Sequence, residues 1–213
     1  IGKIFKASPK QILYIQIMLD DMDVAAARKG KGFYRTKVAA QFGYKGYDLF
    51  KVKHLDFQTE LNLVRPFVYA HKAPEQSYTN YNQSLAHPLG ANFLESVTFI
   101  NYWYKHWTAS AKLQFAVQGR DANFEHNGSN IFLSDYLIAP NLGTAYNNTF
   151  LQGVKTRLIN VEARGGYLIN PKINLAIEAF VNYRYVKNTN IRQDNLFMGI
   201  SFRTNMFNRY TDF

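Results

Sequence analysis

The chain has 213 residues, 47% of them hydrophobic and 16% aromatic, and its 25 Lys and Arg against 15 Asp and Glu leave a net charge of +10. No apolar run is long enough to cross a bilayer as a helix, and the lack of cysteine excludes a disulfide scaffold and a thiolate metal site. The basic residues are scattered, with no basic helix, zinc-finger spacing or aromatic-basic recognition motif, which points away from nucleic acid and toward anionic headgroups or acidic glycans.

In chain order, alternating hydropathy predicts eight strands, over about 11–22, 33–46, 55–68, 94–106, 109–120, 154–168, 173–186 and 195–205. The third is the cleanest: Leu55, Phe57, Thr59, Leu61 and Leu63 point one way, while Asp56, Gln58, Glu60 and Asn62 point the other. In the fifth, Leu113, Phe115 and Val117 oppose Lys112, Gln114 and Gln118; in the seventh, Leu175, Ile177, Ala179, Val181, Tyr183 and Tyr185 oppose Asn174, Glu178, Asn182 and Arg184. In the last, Leu196, Met198, Ile200 and Phe202 oppose Gly199, Ser201 and Arg203. A soluble β-sandwich alternates too, so length discriminates. Soluble strands cluster near five or six residues, whereas these run roughly 11–15, the range of tilted strands that cross a bilayer.

The expected fold is therefore all-β: an antiparallel transmembrane outer-membrane β-barrel of a Gram-negative bacterium, with about eight strands in this chain. The apolar faces would meet lipid and lipopolysaccharide, and Tyr and Trp would favour the membrane–water interface. The lumen would be lined by Glu60, Asn62, Gln114, Gln118, Glu162, Arg164, Glu178, Arg184 and Arg203. Their mixed signs fit cross-strand salt bridges, or a polar wall for a solute or glycan, better than ion-selective conduction. Ile1 is not a natural start and such a barrel must be exported, so the chain is expected to be a piece of a longer protein.

The connections alternate in length, as they do in such barrels. The turns at 47–54, 106–108 and 169–172, the last carrying Asn170-Pro171, are short; on the other side lie 23–32, 69–93, 121–153 and 187–194, two of them very long. No internal repeat or linker divides the chain, which reads as one domain or part of one.

Three stretches resemble a known family: Leu63 to His71 (LVRPFVYAH), Tyr78 to Asn82 (YTNYN) and Leu85 to Phe93 (LAHPLGANF). With Met18 to Asp21 (MLDD) and the ending Met206 to Phe213 (MFNRYTDF), they are similar to the Wzi-like capsule-assembly family, and within it to the Bacteroidota branch named for the gliding-motility protein RemB. The resemblance implies a barrel about twice this length that takes part in assembly or attachment of a surface polysaccharide, of which this chain is the C-terminal part.

Loop 69–93 is the candidate functional element. It carries Tyr69, His71, Tyr78, Tyr81 and Phe93 among Asn80, Asn82, Gln83, His87 and Asn92, and stacking rings beside amides suit a sugar's apolar faces and hydroxyl rim. The competing expectation is a plug, folded inward and fixed by internal bonds of Arg65, Asn92 and Glu95. Loop 121–153 offers Asp121, Glu125, His126 and Asp135, whose spacing matches no calcium or zinc motif, so neither metal nor cofactor is expected. Ser84 with His87 and Ser129 with His126 are the nearest approaches to a hydrolase, but no G-x-S-x-G elbow accompanies them and no enzyme is expected. Two functional classes remain: a barrel that handles surface polysaccharide, and a structural subunit of a larger outer-membrane machine with a protein partner.

Overall fold

The computed structural model describes residues 2–5, 8–81, 83–122, 126–136 and 145–204. The elements, in chain order, are β1 (Gly2–Phe5), β2 (Ser8–Asp20), the short helix α1 (Val24–Arg28), β3 (Lys37–Gly46), β4 (Leu55–Val64), the two-residue strands β5 (Thr79–Asn80) and β6 (Gln83–Ser84), β7 (Phe93–Tyr104), β8 (Trp107–Arg120), β9 (Val154–Asn170), β10 (Leu175–Lys187) and β11 (Arg192–Arg203). Nine of these strands form one antiparallel sheet in which each pairs with its neighbour in sequence, and β5 pairs with β6 separately. The protein is all-β. Among the described residues no ladder joins either β1 or β2 to β11, so the sheet is open.

All eight predicted strands are present, with β1 added at one edge. Two boundaries are off by four residues and the others by three or fewer. The fourth strand of the sheet ends at Val64, not at residue 68, because Arg65 precedes Pro66, which has no N–H to extend the ladder. The third begins at Lys37, since Phe33 to Thr36 close a turn (Thr36 N donates to Phe33 O, 3.0 Å) and Tyr34 N donates to Ala145 O at 2.9 Å instead. At one end the strands are joined by 47–54, 105–106 and 171–174, where the Asn170 side chain accepts from Lys172 N at 3.0 Å. The connections 21–36, 65–92 and 121–153 all lie at the other end.

Register divides the sheet into two chemically opposite faces. Leu61 aligns with Ser96, Ser96 with Phe115 and Phe115 with Ile159; Ile177 aligns with Tyr167 and Phe202. This face is apolar and exposed: Ile17 is 66% accessible, Phe115 50% and Ile200 75%. On the opposite face Glu60 aligns with Val97, then Gln114, Asn160, Arg184 and Asn195 in one continuous row. Asn62, Gln118, Glu162, Arg164, Glu178 and Arg203 share that face by the same registers, and Glu178 is only 5% accessible. Apolar residues outside and carboxylates inside invert the distribution expected of a water-soluble sheet.

Four of the charges on this face are paired with one another. Arg164 lies 3.2 Å from both Glu162 and Glu178, and Arg203 lies 2.9 Å from Glu178. Tyr14 crosses over Gly43, where any Cβ would collide with the ring, and its hydroxyl reaches Glu60. Gln41 and Gln58 donate to the same carboxylate at 3.1 and 2.8 Å. A glycine beneath an aromatic ring thus lets three strands share one half-buried acid.

Candidate functional site

Toward the long-loop end the covered face turns apolar. Met18, Ala39, Val64 and Phe93 replace the amides and carboxylates, and Val68, Tyr69, Leu89, Ala91 and Ile131 pack on them. The loops therefore fold back over the sheet because the sheet offers them an apolar seat there. Phe67, fully buried, is the hub: its N–H donates to Gly128 O at 3.1 Å, and its ring meets those of His126 and Tyr34 edge-on at 5.3 and 6.3 Å.

Two polar anchors fix this cap. Asn92, with φ +60° and no accessible surface, donates through Nδ2 to Gly119 O (2.7 Å) and Gln152 O (2.8 Å) and accepts from Leu151 N (2.8 Å). It stitches the start of β7 to the end of β8 and to loop 121–153. Lys37, equally buried, donates to Ala70 O at 2.6 Å and lies 2.8 Å from Asp135, so the first residue of β3 holds both long loops. Beside it Arg35 grips Asp21, whose carboxyl is held below the usual carboxylate range chiefly by that guanidinium. His71 lies 3.2 Å from Asp20.

Of the candidate residues in loop 69–93, Tyr69 and Asn92 are buried, and burial pushes the Tyr69 phenol up. His87 stacks on Phe93 with ring centroids 4.4 Å apart. Its Nδ1 accepts from Leu89 N at 3.2 Å, which places the proton on Nε2, 2.7 Å from Glu95. Asn62 and Gln114 donate to the same Glu95 carboxylate at 2.8 and 2.6 Å. The Ser84 hydroxyl donates to the main-chain carbonyl of His87 and not to its ring, and Ser129 Oγ accepts from Asp121 N at 2.9 Å. Tyr78 and Tyr81 face outward, Tyr81 at 92% accessibility, with Tyr69 behind Tyr78 at 5.9 Å. Asn82, Glu125 and the ending at 206–213 lie outside the described residues.

Glu95 and Asn92 bond internally through their side chains, as the plug expectation requires; Arg65 does so only through its main chain, and its buried Nε has no partner. Sequence reasoning also missed Lys37 and the cleft of about 520 Å³ between 83–90 and 129–132, lined by Gln83, Ser84, Leu85, Asn130 and Phe132. The cleft joins two loops far apart in sequence, so no local pattern announces it.

Asp121 organises the second loop. Its carboxylate accepts from the N–H groups of Asn127 (2.7 Å), Ser129 (3.2 Å) and Asn130 (3.0 Å) and lies 3.2 Å from the His126 ring. Burial disfavours its charge, but His126 and these three amides outweigh burial and lower its pKa. The resulting stabilisation is complete above the unfolded carboxyl pKa of about 4 and is lost as pH falls through the lowered folded value. Asp121→Asn should loosen 126–130 by about 2 kcal/mol at neutral pH, and the protection of the Asn127 and Ser129 amides relative to intrinsic exchange should lose, in the variant, its dependence on Asp121 protonation across the acid range.

Neither protein-family models, nor curated proteins, nor solved structures match this chain. Among the described residues no helix is long and apolar enough to cross a membrane, which says nothing of crossing by strands.

Proposed function

We propose that this chain is part of the wall of a larger outer-membrane β-barrel whose capped, long-loop end handles a surface polysaccharide, in assembly or attachment of a capsule. The observation that carries the membrane reading is the inverted sheet: exposed Leu, Ile and Phe on one face, and ion-paired Glu and Arg on the other. In water the first face would cost roughly 25 cal/mol for each Å² left exposed; in lipid it costs nothing. Tyr102, Tyr104, Trp107 and Tyr167 gather near the short turns, at the level where an aromatic belt meets the headgroups. The edges of the open sheet would be completed by strands outside this sequence, since unpaired edges are intolerable in lipid.

The polysaccharide reading rests on the Wzi-like resemblance of 63–93 and on what that stretch presents to the outside: Tyr78 and Tyr81 beside a cleft of amides, hydroxyls and apolar side chains. The tight seat of 65–70 and 89–91 on the sheet supports the second reading, a structural subunit of an outer-membrane machine. Both follow from a plug that carries an exposed aromatic rim.

Two measurements test this. The chain has no cysteine, so single cysteines at Leu61, Phe115, Ile177 and Ile200 should take a lipid-soluble label, and those at Glu60, Gln114, Glu178 and Ser201 only a small water-soluble one; equal labelling of both sets would remove the barrel. The double change Tyr78→Ala with Tyr81→Ala should lower retention of surface polysaccharide, each lost stacking contact costing on the order of 1 kcal/mol, while heat-modifiable folding stays intact. Normal polysaccharide with a leaky membrane would favour the structural subunit.

A further inference from the structure

A cavity of about 460 Å³ opens beside the cap, between residues 27–36 and 147–150. Its walls are two backbone segments running side by side: Asn147 N donates to Lys31 O at 2.6 Å and Asn148 N to Gly32 O at 2.9 Å. Gly32 allows that approach, because at φ +60° it needs no side chain, and a Cβ there would lie 2.5 Å from Asn148 O. Into this space come Arg65 and Thr36, from just beyond the end of β4 and just before the start of β3.

Both have incomplete hydrogen-bonding, and of the five such buried side-chain atoms among the described residues these two meet in one cavity. Arg65 Nε and Thr36 Oγ1 are both buried and both lack a partner. A guanidinium is always charged and normally buries only against a carboxylate or phosphate. Here no acidic side chain lines the cavity, while Lys31 adds a second cation. Burial alone depresses the Arg65 pKa, with no neighbouring acid to offset it. Phe33 and Phe150 flank the opening, apolar faces of the kind that pyranose rings cover.

We propose that this cavity is a subsite for an anionic group on a saccharide, a uronate carboxylate or a sugar phosphate, bound by Arg65, Thr36 and Lys31. The inference rests on the polysaccharide reading and gives it a substrate class: an acidic glycan. The guanidinium makes paired hydrogen bonds to two oxygens of the anion, the Thr36 hydroxyl donates a third, and Lys31 sets the sign of the field at the mouth. The same chemistry is carried by a free acidic polymer and by the phosphorylated core of lipopolysaccharide, and the test separates them.

The protein folded in detergent micelles is titrated with tetragalacturonate, with its fully methyl-esterified form, with lipopolysaccharide and with dephosphorylated lipopolysaccharide. Each titration is repeated for Arg65→Gln and for Lys31→Gln, the latter an exposed site that leaves the fold untouched. At least one charged probe should bind about tenfold or more tightly than its neutral partner, and Arg65→Gln should erase that preference. Lys31→Gln should reduce the preference by a smaller factor and make it less sensitive to salt. If tetragalacturonate shows the preference, the source is a polymer; if only lipopolysaccharide does, the cavity stands and the polysaccharide reading falls. Binding of both saccharides with equal strength would overturn the anion subsite and leave glycan handling in place. No Arg65-dependent preference with any probe, in variants that keep heat-modifiable mobility, overturns the proposal.

Discussion

Replacing Lys37 by methionine is expected to open the cap, at a cost of about 3–5 kcal/mol. Methionine keeps most of the length and the apolar stem but removes the ammonium that sits 2.8 Å from Asp135 and 2.6 Å from Ala70 O. Asp135, itself buried, is left as an unpaired charge, which is the expensive outcome for a broken buried pair. The two loops held by this single side chain lose their common anchor together. The loss should therefore appear as protease cleavage within 65–92 and 121–136 while the strands stay resistant. Adding Asp135→Leu to the methionine variant removes the stranded carboxylate and should restore a large part of the protection. If the single variant is as resistant as the parent, the ion pair does not hold the cap.

Asn92→Ala should be comparably severe, about 3–5 kcal/mol, for a different reason. Three bonds vanish at a site with no access to water, and the main-chain groups of Gly119, Leu151 and Gln152 are left without those partners. Alanine at φ +60° adds roughly 1 kcal/mol of backbone strain. Asn92→Gly separates the two contributions, since glycine tolerates that conformation and only the bonds are lost. Chemical denaturation should rank the parent above Gly and Gly above Ala, and the amide of Leu151 should exchange faster in both variants. Equal stability of Ala and parent would mean that the loop is held by packing alone.

The strands and the chemistry of their faces were legible in the sequence because both follow from one local rule, the two-residue period. Leu55 to Leu63 fixes its own orientation whatever lies beside it. The cap was not legible in the same way. Pro66 to Val68 continues the apolar run and reads as more of the strand, although Pro66 itself is the signal that the ladder ends. Lys37 and Asp135 meet across nearly a hundred residues, and no period relates them. The plug expectation identified Asn92 and Glu95 correctly as internal bonding groups, since a buried amide and acid next to a strand start need partners nearby. It misassigned Arg65, because the sequence cannot reveal that a cation lacks an acid.

The order of strands in the sheet has a consequence for how the chain reaches this state. Every long strand pairs with the next long strand in sequence, so the sheet can grow one strand at a time, the closure cost of the long connections 65–92 and 121–153 rising only slowly with their length. The cap obeys another schedule. Its contacts draw on 31–37, 65–71, 89–92, 126–135 and 145–152 at once, so none of it is complete until β3 to β8 are already side by side. Refolding into micelles should accordingly proceed in two kinetic phases, strand pairing first and loop protection afterwards. Substitutions at Lys37 or Asn92 should leave the first phase unchanged and speed unfolding, the behaviour of positions that form after the transition state for the sheet.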